Sequence, residues 1–205
     1  MKNIINKTLF FLTICIIISS CNSDDCDYDC TKEEKINIST GIDPTGTALT
    51  IGNVDTNWQV VSSPYPAGTP ALNSSTYGVW QPTPVATTNA GWINCTGANC
   101  CTNLPGDYIF ERPFTIAPGT VTFTCDFGIT QDDSFIFAEL VAPDASTIPL
   151  IVVPTSAYQL SLPITNFVTN PLAGTWKIRV KVNFFDVGAG FLTSGYIKTV
   201  VPCNN

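Results

Sequence analysis

The chain contains no histidine. That absence excludes the Ser-His-Asp and Cys-His arrangements of nucleophilic hydrolases, which need an imidazole to take the proton. Charge is scarce as well: charged residues are 12% of the 205, with nine cations against sixteen anions. So few positive side chains argue against nucleic acid or an anionic bilayer surface as partner. No C-x-x-C pair occurs either, and without histidine the remaining cysteine spacings, such as Cys26-x-x-x-Cys30, suit zinc poorly. There is no long amphipathic helical pattern and no internal repeat. What remains is an aromatic-rich chain punctuated throughout by fifteen prolines and fourteen glycines, the composition of an all-β secreted domain.

The N-terminus carries an address. Lys2 and Lys7 precede an uncharged stretch from Thr8 to Ser20, which ends in Ile18-Ser19-Ser20-Cys21. A basic start, a short apolar run and a small-residue cleavage site describe a secretory signal. Leu9 to Ile18 would span only about 15 Å as a helix, too short to cross a bilayer. A cysteine at the first mature position makes the segment resemble a bacterial lipoprotein signal, in which that thiol is acylated and anchors the protein. The acidic run Asn22-Ser23-Asp24-Asp25-Cys26-Asp27-Tyr28-Asp29 resembles the export signal of Bacteroidetes-type lipoproteins, which sends them to the outer face of the outer membrane. Three segments are therefore expected: residues 1–20 as signal peptide, 21–40 as a lipidated acidic tether, and 41–205 as one domain.

Removing residues 1–20 takes Lys2 and Lys7 and no anion, which leaves a net charge of −9. With Cys15 cleaved off and Cys21 lipidated, seven cysteines remain: Cys26, Cys30, Cys95, Cys100, Cys101, Cys125 and Cys203. An exported chain meets an oxidising compartment, so all seven are disulfide candidates, and an odd number leaves at least one thiol free.

From Thr47 onward the pattern reads strand, turn, strand. Val121, Phe123, Cys125, Phe127 and Ile129 alternate with small or polar residues, so Cys125 is either a core disulfide or a buried thiol. Tyr108, Phe110, Arg112, Phe114 and Ile116 make a second run, in which Pro113 marks an edge or bulge. Trp176, Ile178, Val180, Val182 and Phe184 make a third, with Lys177, Arg179 and Lys181 on its opposite face. That basic stripe could grip an acidic glycan, but such a face more often pairs with carboxylates across the strands or keeps an exposed sheet from aggregating. Ser134 to Val141 and Ile148 to Val153 are near-continuously apolar and read as buried strands. Trp58, Trp92 and Trp176 sit in strand patterns and are expected in the core. Between Ser62 and Asn89 the chain turns loop-like, and loops of that length tend to carry function.

Two stretches carry a family likeness. Asp55-Thr56-Asn57-Trp58-Gln59-Val60, Ala90-Gly91-Trp92-Ile93 and Pro105-Gly106-Asp107-Tyr108-Ile109-Phe110 together resemble a galactose-binding-domain-like β-sandwich of secreted bacterial proteins. Leu140-Val141-Ala142-Pro143, Gly174-Thr175-Trp176-Lys177-Ile178-Arg179-Val180 and Gly190-Phe191-Leu192-Thr193-Ser194 are similar to the P-domain of subtilisin-like convertases. Both resemblances imply one jelly-roll β-sandwich, a carbohydrate- or partner-binding module rather than an enzyme, and commonly a structural calcium.

Three sets of residues are candidates for a site. Tyr65, Tyr77 and Trp80 lie in the long loop, where an aromatic ring has no core of its own to fill and can receive the C–H face of a sugar. Asp55, Asn57, Asp132, Asp133 and Asp144 lie near turns and offer the oxygen ligands that calcium takes, although turn capping by such residues is the commoner use. Glu111, Asp126, Glu139 and Asp186 are scattered, with no pairing that glycoside hydrolysis would need. The expected function is non-catalytic, surface-anchored binding of an extracellular glycan. The alternative is a structural or adhesive envelope lipoprotein that binds a surface protein.

Overall fold

A computed structural model describes residues 30–74, 89–97, 103–151, 155–185 and 189–203. The chain divides into two compact units, and every described strand belongs to the second, Thr31–Pro202. The order is β1 (Thr31–Asn37), β2 (Gln59–Ser62), β3 (Leu72–Asn73), β4 (Ile93–Asn94), β5 (Gly106–Ile116), β6 (Thr122–Val141), β7 (Thr147–Ile151), β8 (Thr155–Thr169), β9 (Gly174–Phe184) and β10 (Gly190–Pro202). The protein is all-β, as its alternating runs imply.

All the pairings are antiparallel, along the path β2-β5-β9-β6-β10-β4-β3. β6 is the hinge of this arrangement. Its first half pairs with β10 and β8, and its second half with β9 and β7. One strand thereby belongs to two layers, and the sheet curls on itself into a jelly-roll sandwich. The inner faces meet through aromatic rings: Phe110 stacks 5.1 Å from Phe191, and Phe123 makes edge contacts with Phe114 and Trp176 at 5.8 and 5.1 Å. Each ring sits on the inward register of its strand, and such pairs add to the hydrophobic burial that drives the layers together.

Several expectations hold at the level of faces. Phe123, Cys125, Phe127 and Ile129 are buried, as are Tyr108, Phe110, Phe114 and Ile116 on β5, and all five apolar positions of β9. Trp58, Trp92 and Trp176 are core residues. Pro113 stands on β5 opposite Lys177 of β9 and beyond the stretch Ile109–Glu111 that β2 covers, so β5 is open on its β2 side there among the described strands.

Others need correction. The stretches 121–129 and 134–141 are not separate strands but parts of the twenty-residue β6, with Val121 exposed just before it. Ile148 and Leu150, expected in a buried strand, are only half-buried, because β7 pairs with β6 alone among the described strands. Residues 31–40 are not tether. β1 pairs along its whole length with β10, and Ile38, Ser39 and Thr40 are buried, so the sandwich starts ten residues before the expected boundary. The edge strand β1 carries Lys32, Glu33, Glu34 and Lys35, charges that discourage a further strand from adding. In the first unit, Cys30 and Cys203 form a disulfide, and the Cys203 N–H donates to the Cys30 carbonyl at 2.7 Å.

A cleft beside the edge strand β2

Asp55 organises the approach to β2. One carboxylate oxygen accepts the N–H groups of Asn57 and Trp58 at 2.9 and 3.1 Å, and the other accepts that of Gly41 at 2.7 Å. Asn57 in turn donates from Nδ2 to the Ile42 carbonyl, and the Trp58 indole donates to the Ile38 carbonyl, both at 2.9 Å. Burial pushes the Asp55 carboxyl up, against the three N–H groups and the nearby Arg112 guanidinium, which favour its charged form. Arg112 shares the inward face of β5 and donates to the Pro113 and Asn37 carbonyls at 2.9 and 3.0 Å. Gly41 itself adopts φ +66°, and its Cα lies so near Gly91 that a side chain would collide with that backbone.

This network fixes the chain just before β2, and the return segment after β2 lies opposite. Between them is an open cleft of about 410 Å³, lined by Val54 to Thr56 and Trp58 to Val60 on one side and Gly68 to Ala71 on the other. Trp58 and Ala71 are buried in its floor, whereas Thr56, Gln59 and Val54 are exposed at its rim. Asp55 is the only charged residue among the described lining residues, and both of its oxygens are bonded to backbone. A second hollow of about 250 Å³ follows along β2, lined by Val60 to Ser63 and Tyr65 to Thr69. Tyr65 is half-buried there. Its hydroxyl accepts the Leu104 N–H at 3.0 Å, and its ring lies 6.4 Å from that of Tyr108.

The basic stripe on β9 pairs as expected. Lys177 and Arg179 reach Glu111 at 2.8 and 2.7 Å, Arg179 also reaches Glu139 at 3.0 Å, and Lys181 reaches Asp107 at 2.7 Å. Burial raises the Glu111 carboxyl, but the two cations outweigh it and hold the group below its ordinary value. Glu111 and Glu139 thus flank one guanidinium as structural counter-ions.

The expected calcium ligands are not brought together. Among the described residues no three Cys, Asp or Glu side chains cluster to hold a metal. Asp55 and Asn57 serve the turn before β2. Asp132 and Asp133 lie on β6, where the Asp133 carboxylate accepts the Phe185 N–H. Asp144 closes an Asx-turn on the N–H and hydroxyl of Ser146. Among the described residues these donors are spread over separate turns and β6, which does not fit a calcium cage. Cys95 and Cys125, two of the expected disulfide candidates, are instead buried thiols, which burial pushes up to about 12. Cys21, Cys26, Cys100, Cys101, Tyr77 and Trp80 lie outside the described residues. Sequence reasoning missed the cleft itself, although its D-x-x-W-x-V stretch supplies one wall. It also missed the exposed aromatic rings Phe167 and Phe185, which stand on or beside strands rather than in the long loop.

No family model matches the chain, and no curated relative matches it. Among solved structures, a family 29 carbohydrate binding module complexed with cellulohexaose is similar over 82% of this chain and 92% of its own, at 10% identity and a TM-score of 0.37. A cyclase from Fischerella sp. TAU is similar over 84% of this chain and 100% of its own, at 11% identity and a TM-score of 0.44. A cyclase from Fischerella sp. TAU in complex with 4-(1H-indol-3-yl)butan-2-one is similar at 13% identity and a TM-score of 0.42, over 82% and 100% of the two chains. Likenesses at this level carry no argument about ligand or activity.

Proposed function

We propose that this chain is a non-catalytic module that binds an extracellular glycan and is held at the cell surface by lipid on Cys21. The cleft beside β2 carries the reading. Its floor is apolar, its rim offers the hydroxyls of Thr56 and Thr69 and the carboxamide of Gln59, and it exposes no charge. A neutral ligand with C–H faces and many hydroxyls matches that lining, and the volume lies in the range of small-ligand sites. The acidic chain would repel anionic ligands at long range. Glu111 and Glu139, bridged by Arg179, suit a structural part better than acid–base catalysis. Trp80 and Tyr77 remain proposed platforms at the same loop.

A glycan array probed with the full chain in detergent tests this. A specific hit that weakens in Gln59→Ala, with unfolding unchanged, supports the cleft. A hit that survives Gln59→Ala but is lost in Trp80→Ala moves the site to the long loop. The competing reading, a surface protein as partner, draws on the exposed side chains of Ile51, Val54 and Val61. A blank array from folded protein would favour it. For the anchor, cells fed labelled palmitate should label the wild type and not Cys21→Ala.

A further inference from the structure

We infer that the glycan site is a track rather than a socket: it takes an internal stretch of a linear, neutral chain laid along the edge of β2. This rests on the glycan reading above and specifies its ligand. The two hollows are consecutive and share Val60, Gly68 and Thr69 as lining residues, so they are successive parts of one groove. The groove begins at Val54, passes the four residues of β2 and ends at Pro66. β2 alone accounts for about 13 Å of it, longer than one sugar ring. Neutral polar side chains recur along that length: Thr56 and Gln59 in the first hollow, Thr69 between the two, Ser62 and Ser63 in the second. Hydroxyls repeated along a polymer meet such a series, whereas a terminal sugar uses one part of it.

The second hollow also has a built wall. The Tyr65 hydroxyl accepts the Leu104 N–H and its ring lies 6.4 Å from that of Tyr108, so this lining side chain is already held before any ligand arrives. Preorganisation of that kind lowers the entropic cost of binding. The same edge is a poor template for an added peptide strand. The register of β2 slips between Val60 and Ser62, which interrupts the row of ladder groups a strand would need. Across the groove stand Pro66 and Pro70, which have no N–H to offer.

The test is a length ladder. Calorimetry on the full chain would use cello-, xylo-, manno- and malto-oligosaccharides from a single sugar to six units. On at least one ladder, affinity should rise about tenfold or more between the disaccharide and the hexasaccharide. Ala67→Trp, at an exposed loop position of the second hollow, should bring the hexasaccharide down to the affinity of the disaccharide, with the melting temperature as a folding control. Binding as tight for one sugar as for six would overturn the track and leave the glycan reading standing. A rise with length that Ala67→Trp does not alter would also overturn it. No binding on any ladder, with binding of an extended peptide of alternating Val and Thr, would overturn both.

Discussion

Asp55 and the two free thiols show how much a single buried side chain decides here. Three backbone N–H groups converge on the buried Asp55 carboxylate, so removing it takes the acceptor from all three at once. Asp55→Ala should therefore cost about 1–3 kcal/mol or more, the penalty for leaving buried donors unmatched. Denaturant unfolding reads that loss directly, and a change below a few tenths of a kcal/mol would show the turn to be held by something else. Cys95 and Cys125 make the opposite point, since burial suppresses their chemistry. Burial disfavours their thiolates, and a thiol that cannot ionise is a poor nucleophile. Peptide mapping after alkylation of the native chain should find both unlabelled, with full labelling in guanidinium. Labelling of either within minutes in the native state would contradict its placement in the core. Composition alone had offered both as disulfide partners, because oxidising compartments favour bridges. Alternation placed Cys125 on the apolar face, and burial there without a neighbouring thiol was the outcome that pairing rules could not distinguish.

Elements were legible where one face is buried and the other wet. β5, β9 and the opening of β6, Thr122 to Phe127, alternate, and the basic stripe on β9 met carboxylates of β5 and β6 as its register requires. The length of β6 was hidden because buried residues occur on both registers from Phe127 to Gln131, where the strand passes between layers, and alternation fails there. β1 was hidden for the reverse reason. Its charges, which suit a sheet edge, read as a solvated spacer. The stripe yields a pH dependence. The folded Glu111 carboxyl lies below its ordinary value, so its pairing stabilises the fold fully above the unfolded carboxylate range, near pH 4, and is lost as pH falls through the depressed folded value. Glu111→Gln should remove about 1–3 kcal/mol at neutral pH, in the range of hydrogen bonds to charged groups. It should also flatten the acid limb of a stability-against-pH curve. A variant whose acid limb matches the wild type would assign that limb to other carboxylates.

At the scale of the molecule, the first and last strands of the sandwich are neighbours, from Thr31↔Pro202 to Asn37↔Tyr196. The cysteines that flank this ladder in sequence, Cys30 and Cys203, are bonded across a separation of 173 residues. The sequence could name both as candidates but not as partners, because their proximity follows from β1 lying against β10, and β1 itself was read as tether. A bridge that closes nearly the whole chain restricts the unfolded ensemble far more than it restricts the fold, and that restriction grows with the logarithm of loop length. Removing such a bridge costs about 2–5 kcal/mol in small secreted domains. Cys30→Ser with Cys203→Ser should lower stability by that amount, and dithiothreitol should lower wild-type stability to the same level. The double variant should not respond to dithiothreitol at all, since the described thiols that remain are unpaired. A response in the double variant would reveal another bridge, among the cysteines outside the described residues. Equal stability of wild type and variant would mean that the pairing of β1 with β10 holds the chain ends without covalent help.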